Sequence, residues 1–199
     1  MPLPDPKRVF INCPYDPDYE PTFDAIVFAT VCCGFIPCSA LESDTVADVR
    51  IDRILRGLAG AKYSIHDLSR CRGEGDERLA RFNMPLELGA AMALRHQSAT
   101  EYDWAVLVPE GHLYARFVSD LAGFDPLRYD GTSRSVVPKV MRWLTTRPDA
   151  IPTPATPRHV LDLMPDFQRR KAELAADWEG ELPWGRMLKL ARDAARAVL

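Results

Sequence analysis

The chain has 199 residues, of which 47% are hydrophobic and 27% charged, with a formal net charge of −3. This length suits one well-buried domain of roughly 100–150 residues with an appended segment. The slight acidity argues against nonspecific nucleic-acid binding, because neutralising phosphates needs a basic face. No apolar run approaches the roughly 20 residues that cross a bilayer, and the N-terminus lacks a basic-then-apolar secretion signal. We therefore expect a cytoplasmic protein with no membrane and no nucleic-acid partner.

The five cysteines fit this location, because their number is odd and no C-x-x-C pair occurs. Cys32 and Cys33 are expected to be buried small hydrophobes. Cys71 lies between Arg70 and Arg72, whose charges are expected to lower the pKa of its thiol, so a redox or nucleophilic role is a minor alternative. No set of His and Cys has the spacing of zinc ligands, so we predict no metal site and no cofactor.

The first part of the chain alternates short apolar runs with segments of helical length. The apolar runs predict strands at 8–12, 35–40, 63–66, 104–108 and 127–129, with Pro37 indicating an edge position. The helical patterns cover 23–31 (ending near Gly34), 48–58, 85–95, 112–122 and 135–144. This alternation predicts parallel strands covered on both faces. We predict a flavodoxin-like α/β fold, an open, mostly parallel five-stranded sheet in the order 2-1-3-4-5.

The C-terminal part has a different composition. Residues 147–157 hold four of the 17 prolines and indicate a linker or wrapping segment after an α/β domain of residues 1–146. Residues 158–199 form a helical C-terminal extension, with helices predicted at 158–178 and 184–199. The last helix has a wide apolar stripe that must dock on its own chain or on a partner. We therefore expect a homodimer or a higher homo-oligomer.

Two carboxylates indicate a candidate site in the middle of the chain. Asp67 ends the third predicted strand, where an open α/β sheet presents groups to a ligand. An arginine-rich loop follows, and the next helix carries Glu87 in its first turn. Each acid also has a structural explanation, because acids favour helix N-termini and aspartate often caps a turn.

Four segments, VFINCPYD, YSIHDLSR, CRGEGD and FNMPLELGAAMAL, together resemble the superfamily that unites nucleoside 2-deoxyribosyltransferases with TIR-type domains. In those transferases a strand ends in Asp-Leu, an Arg-Gly loop follows, and a helix carries Glu-Leu-Gly-x-Ala. The corresponding elements here are Asp67-Leu68, Arg72-Gly73 and ELGAA at 87–91. The resemblance spans residues 8–110 and implies an α/β domain that acts at the anomeric carbon of an N-ribosyl bond.

One motif differs from the transferases. They have a Gly-Thr turn before the glutamate helix, whereas this chain has RFNMP at 81–85, with Asp76 as a candidate loop acid. The resemblance therefore implies the wider N-ribosyl chemistry rather than deoxyribosyl transfer. A nucleotide, a nucleoside or NAD is the implied substrate.

Glu87 is the candidate catalytic residue. Breaking an N-glycosidic bond develops positive charge on the ribose, which a carboxylate stabilises or captures covalently. We expect the helix start to favour the ionised form of Glu87. Asp67 is expected to bind the departing base or a ribose hydroxyl.

The other candidate substrate ligands are Tyr15, Asp16, Asn83, Arg70 and Arg72. Tyr15 and Asp16 could stack on a base and bind a sugar, or they could form a turn without a ligand. Asn83 could contact the substrate or cap the helix. The loop arginines, which also include those at positions 78 and 81, could receive a phosphate or remain a solvated charged loop.

Two functions follow from these observations. The first is a nucleotide N-glycosidase in which Glu87 is catalytic. The second is a non-catalytic nucleotide-binding or self-assembly module, because many TIR-type domains are adaptors. The test between them is whether Asp67 and Glu87 line one cleft together with the 13–19 loop. His66, inside a predicted strand, is expected to be packed or hydrogen-bonded rather than an acid–base catalyst.

Overall fold

The computed structural model describes residues 3–42, 49–72, 81–98 and 102–196. The strands are β1 (Asp5–Asn12), β2 (Ile36–Cys38), β3 (Ala61–Asp67), β4 (Asp103–Pro109) and β5 (Leu127–Tyr129). The helices are α1 (Glu20–Cys32), α2 (Arg50–Gly60), α3 (Asn83–Gln97), α4 (Ser133–Leu144), α5 (Pro157–Ala176) and α6 (Trp184–Ala195). All strand pairs are parallel, in the order β2-β1-β3-β4-β5, which confirms the predicted fold and topology.

The centre of the sheet is the pair of β1 and β3. Asn12 lies opposite His66 in their register, so the last residue of β1 faces the end of β3. Strand β2, which contains Pro37, lies at one edge of the sheet, as predicted. The strand order reverses between β1 and β3, and this reversal opens a crevice at their carboxyl ends.

Helix α1 is buried from Thr22 to Cys32 because apolar residues occur all around it. It packs against α4, α5 and α6, and the rings of Phe28 and Phe167 stack with 4.7 Å between their centres. The apolar stripe of α6 is buried against this same cluster. The C-terminal helices therefore cover α1 within the chain. Of the two alternatives for the apolar stripe, docking on its own chain or on a partner, the structure shows the first.

The segment 147–157 packs on the α/β domain. Ile151 lies against Gly34, which follows α1 with a φ of +80°, and a Cβ at Gly34 would come within 2.3 Å of Ile151 Cγ2. The Asp149 carboxylate accepts hydrogen bonds from Lys62 Nζ and from the Tyr63 hydroxyl. A glycine is therefore required at the end of α1 both by backbone conformation and by the approach of this segment.

The prediction of a helix at 112–122 is wrong. Two 3-10 turns, Tyr114–Arg116 and Ser119–Leu121, occupy this region. The buried Tyr114 hydroxyl lies within hydrogen-bonding distance of two carbonyl oxygens, those of Leu121 (3.2 Å) and Phe124 (3.3 Å). These side-chain contacts close the segment into compact turns, and tertiary packing overrides its helical pattern.

Helices α2 and α3 lie together on the other face of the sheet, away from α1. Gly57 allows α2 to approach β1 closely, because a Cβ at this position would lie 2.5 Å from the Phe10 ring. No helix within the described ranges is long and apolar enough to cross a membrane.

Candidate functional site

A cleft of about 220 Å³ lies at the carboxyl ends of β1 and β3. The loops after these strands and the first residues of α2 and α3 supply its lining, which consists of Cys13, Pro14, Tyr15, Asp16, Arg50, Arg70, Arg81, Asn83 and Met84. This is the switch point of the sheet, where open α/β folds bind ligands. Four of the predicted ligand residues lie in this lining: Tyr15, Asp16, Arg70 and Asn83.

Asp16 connects two arginines at the wall of the cleft. Arg81 Nη1 donates to both carboxylate oxygens of Asp16, at 2.7 and 2.9 Å, and Arg70 Nε donates to Oδ2 at 3.0 Å. Hydrogen bonding to Arg81 is the main reason that the pKa of Asp16 is below its usual value. The ionised carboxylate therefore holds the loops after β1 and β3 together and keeps both guanidinium groups at the cleft.

Glu87 is buried close to the cleft, with 5% of its surface exposed, but it does not belong to the lining. Burial raises its pKa to about 7, although the Arg50 charge opposes this shift. The expectation that the helix start favours ionised Glu87 is therefore wrong. Helix α3 begins at Asn83 and has no acidic residue in its first turn, so Glu87 lies beyond the predicted first-turn position, and desolvation raises its pKa. A carboxyl group with a pKa near neutrality suits proton donation and acceptance.

Asp67 is fully buried and does not line the cleft. Its Oδ1 accepts from the Ser69 N–H at 2.8 Å, and its Oδ2 accepts from the Tyr129 hydroxyl at 2.8 Å. Burial raises its pKa, and these hydrogen bonds oppose the increase. Asp67 thus caps the turn after β3 and ties β3 to β5. The expectation that Asp67 and Glu87 line one cleft is wrong.

The Cys13 thiol is affected by the charges of both Asp67 and Glu87. The thiol is buried, and burial together with the charges of Asp67 and Glu87 raises its pKa well above the ordinary value. The same kind of burial raises the pKa of Cys71, so the expected lowering by neighbouring arginines is wrong. Both cysteines are therefore neutral thiols, and the Cys13 thiol forms part of the cleft wall.

Asn83 and Arg72 have different surroundings. Asn83 is the first residue of α3, the N-cap position is Phe82, and the structure has no side-chain cap there. The capping alternative for Asn83 is therefore wrong, and its exposed side chain borders the cleft. Arg72 lies outside the lining, near His112, where its charge adds to burial in lowering the histidine pKa. Gly73, Asp76 and Arg78 lie outside the described residues.

The sequence reasoning missed a polar network beneath the cleft. Asn12 Nδ2 lies 2.9 Å from His66 Nδ1 and 3.3 Å from the Met84 carbonyl oxygen, while His66 Nε2 lies 2.9 Å from Ser64 Oγ. Burial lowers the pKa of His66 to about 3, so the imidazole is neutral and Nδ1 accepts from Asn12. His66 is hydrogen-bonded, as expected, and Asn12 ties the end of β1 to the start of α3. The sequence signal that could have revealed this network is Asn12, a polar residue at the end of a buried strand.

Arg50 is the second residue that sequence reasoning missed. Its guanidinium carbon lies 5.7 Å from the centre of the Tyr15 ring, within the range of a cation–π interaction. Nothing local to α2 marks this residue, because its partners lie on the β1 loop and on α3. With Arg70 and Arg81 it gives the cleft three guanidinium groups, against the Asp16 carboxylate in the lining and the exposed Asp18 carboxylate, which Arg70 Nη2 also contacts at 2.6 Å.

The charge balance of the cleft favours an anionic ligand, because arginine forks bind phosphate and carboxylate groups well. Within the described residues, no group of three or more His, Cys, Asp and Glu side chains could hold a metal ion. Comparisons with models of protein families, with curated proteins and with solved structures yield no match. The fold and the cleft are therefore the basis of the functional proposal.

Proposed function

We propose that this chain is a nucleotide N-glycosidase, which hydrolyses or transfers an N-ribosyl bond with Glu87 as its catalytic glutamate. The observation that carries the proposal is the buried Glu87 carboxyl, whose pKa is about 7, close to an arginine-lined cleft at the switch point of the sheet. The motif-level resemblance to nucleoside 2-deoxyribosyltransferases and TIR-type domains supports the same chemistry. NAD is one candidate substrate.

In this proposal, the two protonation states of Glu87 have different uses. The ionised form would oppose the positive charge that develops on the ribose, either electrostatically or by covalent capture. The protonated form would donate a proton to the departing base. A pKa of about 7 makes both forms accessible near neutral pH. Burial is the main cause of the raised pKa values of Cys13 and Tyr15, and the Glu87 charge adds to it, so in this proposal the reacting bond would lie beside these two lining residues.

The remaining residues would bind the substrate. Arg70 in the lining would hold a phosphate, together with the two other cleft arginines, while Tyr15 and Asn83 would contact the ribose or the base. The cleft, at about 220 Å³, is smaller than the roughly 300–1,000 Å³ of most ligand pockets. We therefore assign it the sugar-phosphate part of a nucleotide. The prediction that Asp16, Asp67 and Arg72 also contact the substrate has not been tested.

A non-catalytic nucleotide-binding or TIR-like self-assembly module is the second candidate, and in this case a homodimer or higher homo-oligomer is expected. Asp67 and Glu87 do not line one cleft, so the geometric test between the two functions favours this candidate. Exposed apolar side chains on the neighbouring helices α2 and α3 favour it: Ile51, Leu55 and Leu86, with Phe82 just before α3. Exposed apolar groups of this kind are common at interfaces. Light scattering of the wild type and of Leu86→Lys would test the assembly, which should be lost in the variant.

The function itself is tested by incubating the protein with nucleosides, nucleotides and NAD, and by chromatography for released base. Binding of the same compounds is measured in parallel by calorimetry. Release of base from a nucleotide supports the N-glycosidase, whereas binding without release supports the non-catalytic module. The absence of both would contradict the nucleotide site.

We also propose a cytoplasmic location. The five cysteines are all unpaired and buried, although two of them, Cys32 and Cys33, are adjacent. Proteins of oxidising compartments usually use cysteines in disulfides. Fractionation of cells that produce the protein, with thiol labelling after unfolding, would test this location.

A further inference from the structure

A second and larger groove, of about 750 Å³, lies between the loop after β1 and the region that connects α5 to α6. It shares Pro14, Tyr15 and Asp16 with the cleft. Three rings follow one another along its wall: the centres of Tyr15 and Phe23 are 5.6 Å apart, and those of Phe23 and Trp184 are 6.0 Å apart. Phe23 and Trp184 are 5% and 6% exposed and Tyr15 is half-buried, so the wall offers a small ligand the parts of these rings that border the groove.

The groove carries excess negative charge. Lys171 Nζ lies 2.7 Å from Glu20 Oε1 and 2.6 Å from Asp24 Oδ1, so two carboxylates share one ammonium group. Glu181 also lines the groove and forms no ion pair with any residue in the described ranges. Asp16, the remaining acid of the lining, is balanced by the two arginines that bind it. The aromatic wall therefore lies beside carboxylates that lack enough counter-charge.

We propose that this groove is a second binding site, which takes a small organic cation consisting of an aromatic ring and a protonated amine. The ring would pack against the parts of Tyr15, Phe23 and Trp184 that border the groove, and the amine would lie near Glu20 and Glu181. Both the carboxylates and the faces of the aromatic rings attract a cation. An anion of the same shape would meet uncompensated carboxylates. The arginine-rich cleft has the opposite preference, so this site goes beyond the proposed N-glycosidase function and does not depend on it.

The test uses the full chain and three probes of matched shape: phenethylamine, the neutral 2-phenylethanol and the anion phenylacetate. Saturation-transfer NMR and the change in tryptophan emission measure their binding. We expect the amine to bind about tenfold more tightly than the alcohol and phenylacetate to show no saturable binding. Equal binding of the amine and the anion, or no saturable binding of the amine, would overturn the proposal.

Variants locate the site. Glu181→Gln and Glu20→Gln should each weaken amine binding about threefold, because each removes one exposed carboxylate. Trp184→Phe should lower the affinity for all ring-bearing probes. Because Trp184 is buried and its variant could unfold, the exposed Glu181 provides the decisive result. Glu173→Gln, an exposed position on α5 that pairs with Arg169, is the matched control and should change nothing. Unchanged amine affinity in both groove variants would place the probe elsewhere and contradict the site.

Discussion

The guanidinium carbon of Arg50 lies 5.7 Å from the centre of the Tyr15 ring, and the Arg50 charge also lowers the pKa of the nearby Glu87. Arg50 begins α2, Tyr15 follows β1, and Glu87 belongs to α3. One cation therefore connects three elements around the cleft and partly offsets the increase in the Glu87 pKa that burial causes. This relationship leads to the first two predictions.

Glu87→Gln is expected to abolish base release while leaving the fold and ligand affinity nearly intact. Glutamine keeps the size and the hydrogen bonding of the side chain but can neither carry the negative charge nor transfer a proton. Loss of such a group typically reduces the rate by several powers of ten, about 4 kcal/mol or more in transition-state free energy. The measurement is released base per enzyme per minute for each variant, with the exposed Glu110→Gln as the control.

The same substitution should not reduce stability. Burial raises the pKa of Glu87 from 4.5 to about 7, so the folded state loses stability as pH rises through this window. Glutamine does not ionise, so the Glu87→Gln variant does not lose stability in this pH range for that reason. Thermal melts above about pH 7 should show the variant at least as stable as the wild type. Full activity in such a well-folded variant would exclude Glu87 as the catalytic residue.

Arg50→Met should raise the pKa of Glu87 above about 7, because the arginine charge favours the ionised carboxylate. If the ionised form is the active one, the rising limb of the pH–rate profile moves to higher pH. NMR titration of a labelled Glu87 carboxyl measures the pKa directly, independently of activity. Arg56→Met, an exposed position on the same helix, is the control. An unchanged Glu87 titration in Arg50→Met would refute the electrostatic link.

Lys171→Met should destabilise the fold by about 3 kcal/mol near neutral pH, because it leaves the buried Asp24 carboxylate without its partner. Burial raises the pKa of Asp24 to about 6 even with Lys171 present. Protonation of Asp24 should therefore make the loss smaller at about pH 5 than at about pH 8. Urea unfolding at both pH values measures the difference.

The control for this prediction is Arg169→Met, which removes a cation from exposed ion pairs on the same helix. Surface pairs contribute roughly 0–1 kcal/mol, so this variant should change stability little at either pH. A Lys171→Met variant whose loss is the same at both pH values would show that the unpaired Asp24 charge is not its cause.

Deletion of residues 184–199 should cause aggregation, because α6 covers part of α1 and its removal exposes apolar surface around Phe23. Light scattering and melting temperature measure the effect. Arg192→Gln, at an exposed position of α6, is the control and should leave both unchanged. A truncated protein that stays monodisperse with the wild-type melting temperature would contradict the assigned role of α6.

Much of the fold could be predicted because it depends on local pattern and on connection rules. The apolar run before Cys13 defines a buried strand, and the all-round apolar segment that ends near Gly34 defines a buried helix. Parallel strands joined by helices leave few topologies, and the predicted order is the observed one. Tyr15 and Asn83, two of the candidate substrate ligands, lie in the lining of the cleft at the switch point.

The protonation states and the partners of the site residues depended on the tertiary structure. Helix position indicated ionised Glu87, but desolvation by surrounding residues raises its pKa to about 7. Asp67 ends its strand as predicted, yet Tyr129, distant in sequence, binds its carboxylate inside the protein. The sequence by itself thus determined the strand order and placed the loops after β1 and β3 side by side at the switch point, because periodicity and chain order act locally. Only the folded chain decided which side chains line the cleft, Arg50 among them, and which are buried, charged or paired, because desolvation and hydrogen bonding depend on residues that are far apart in sequence.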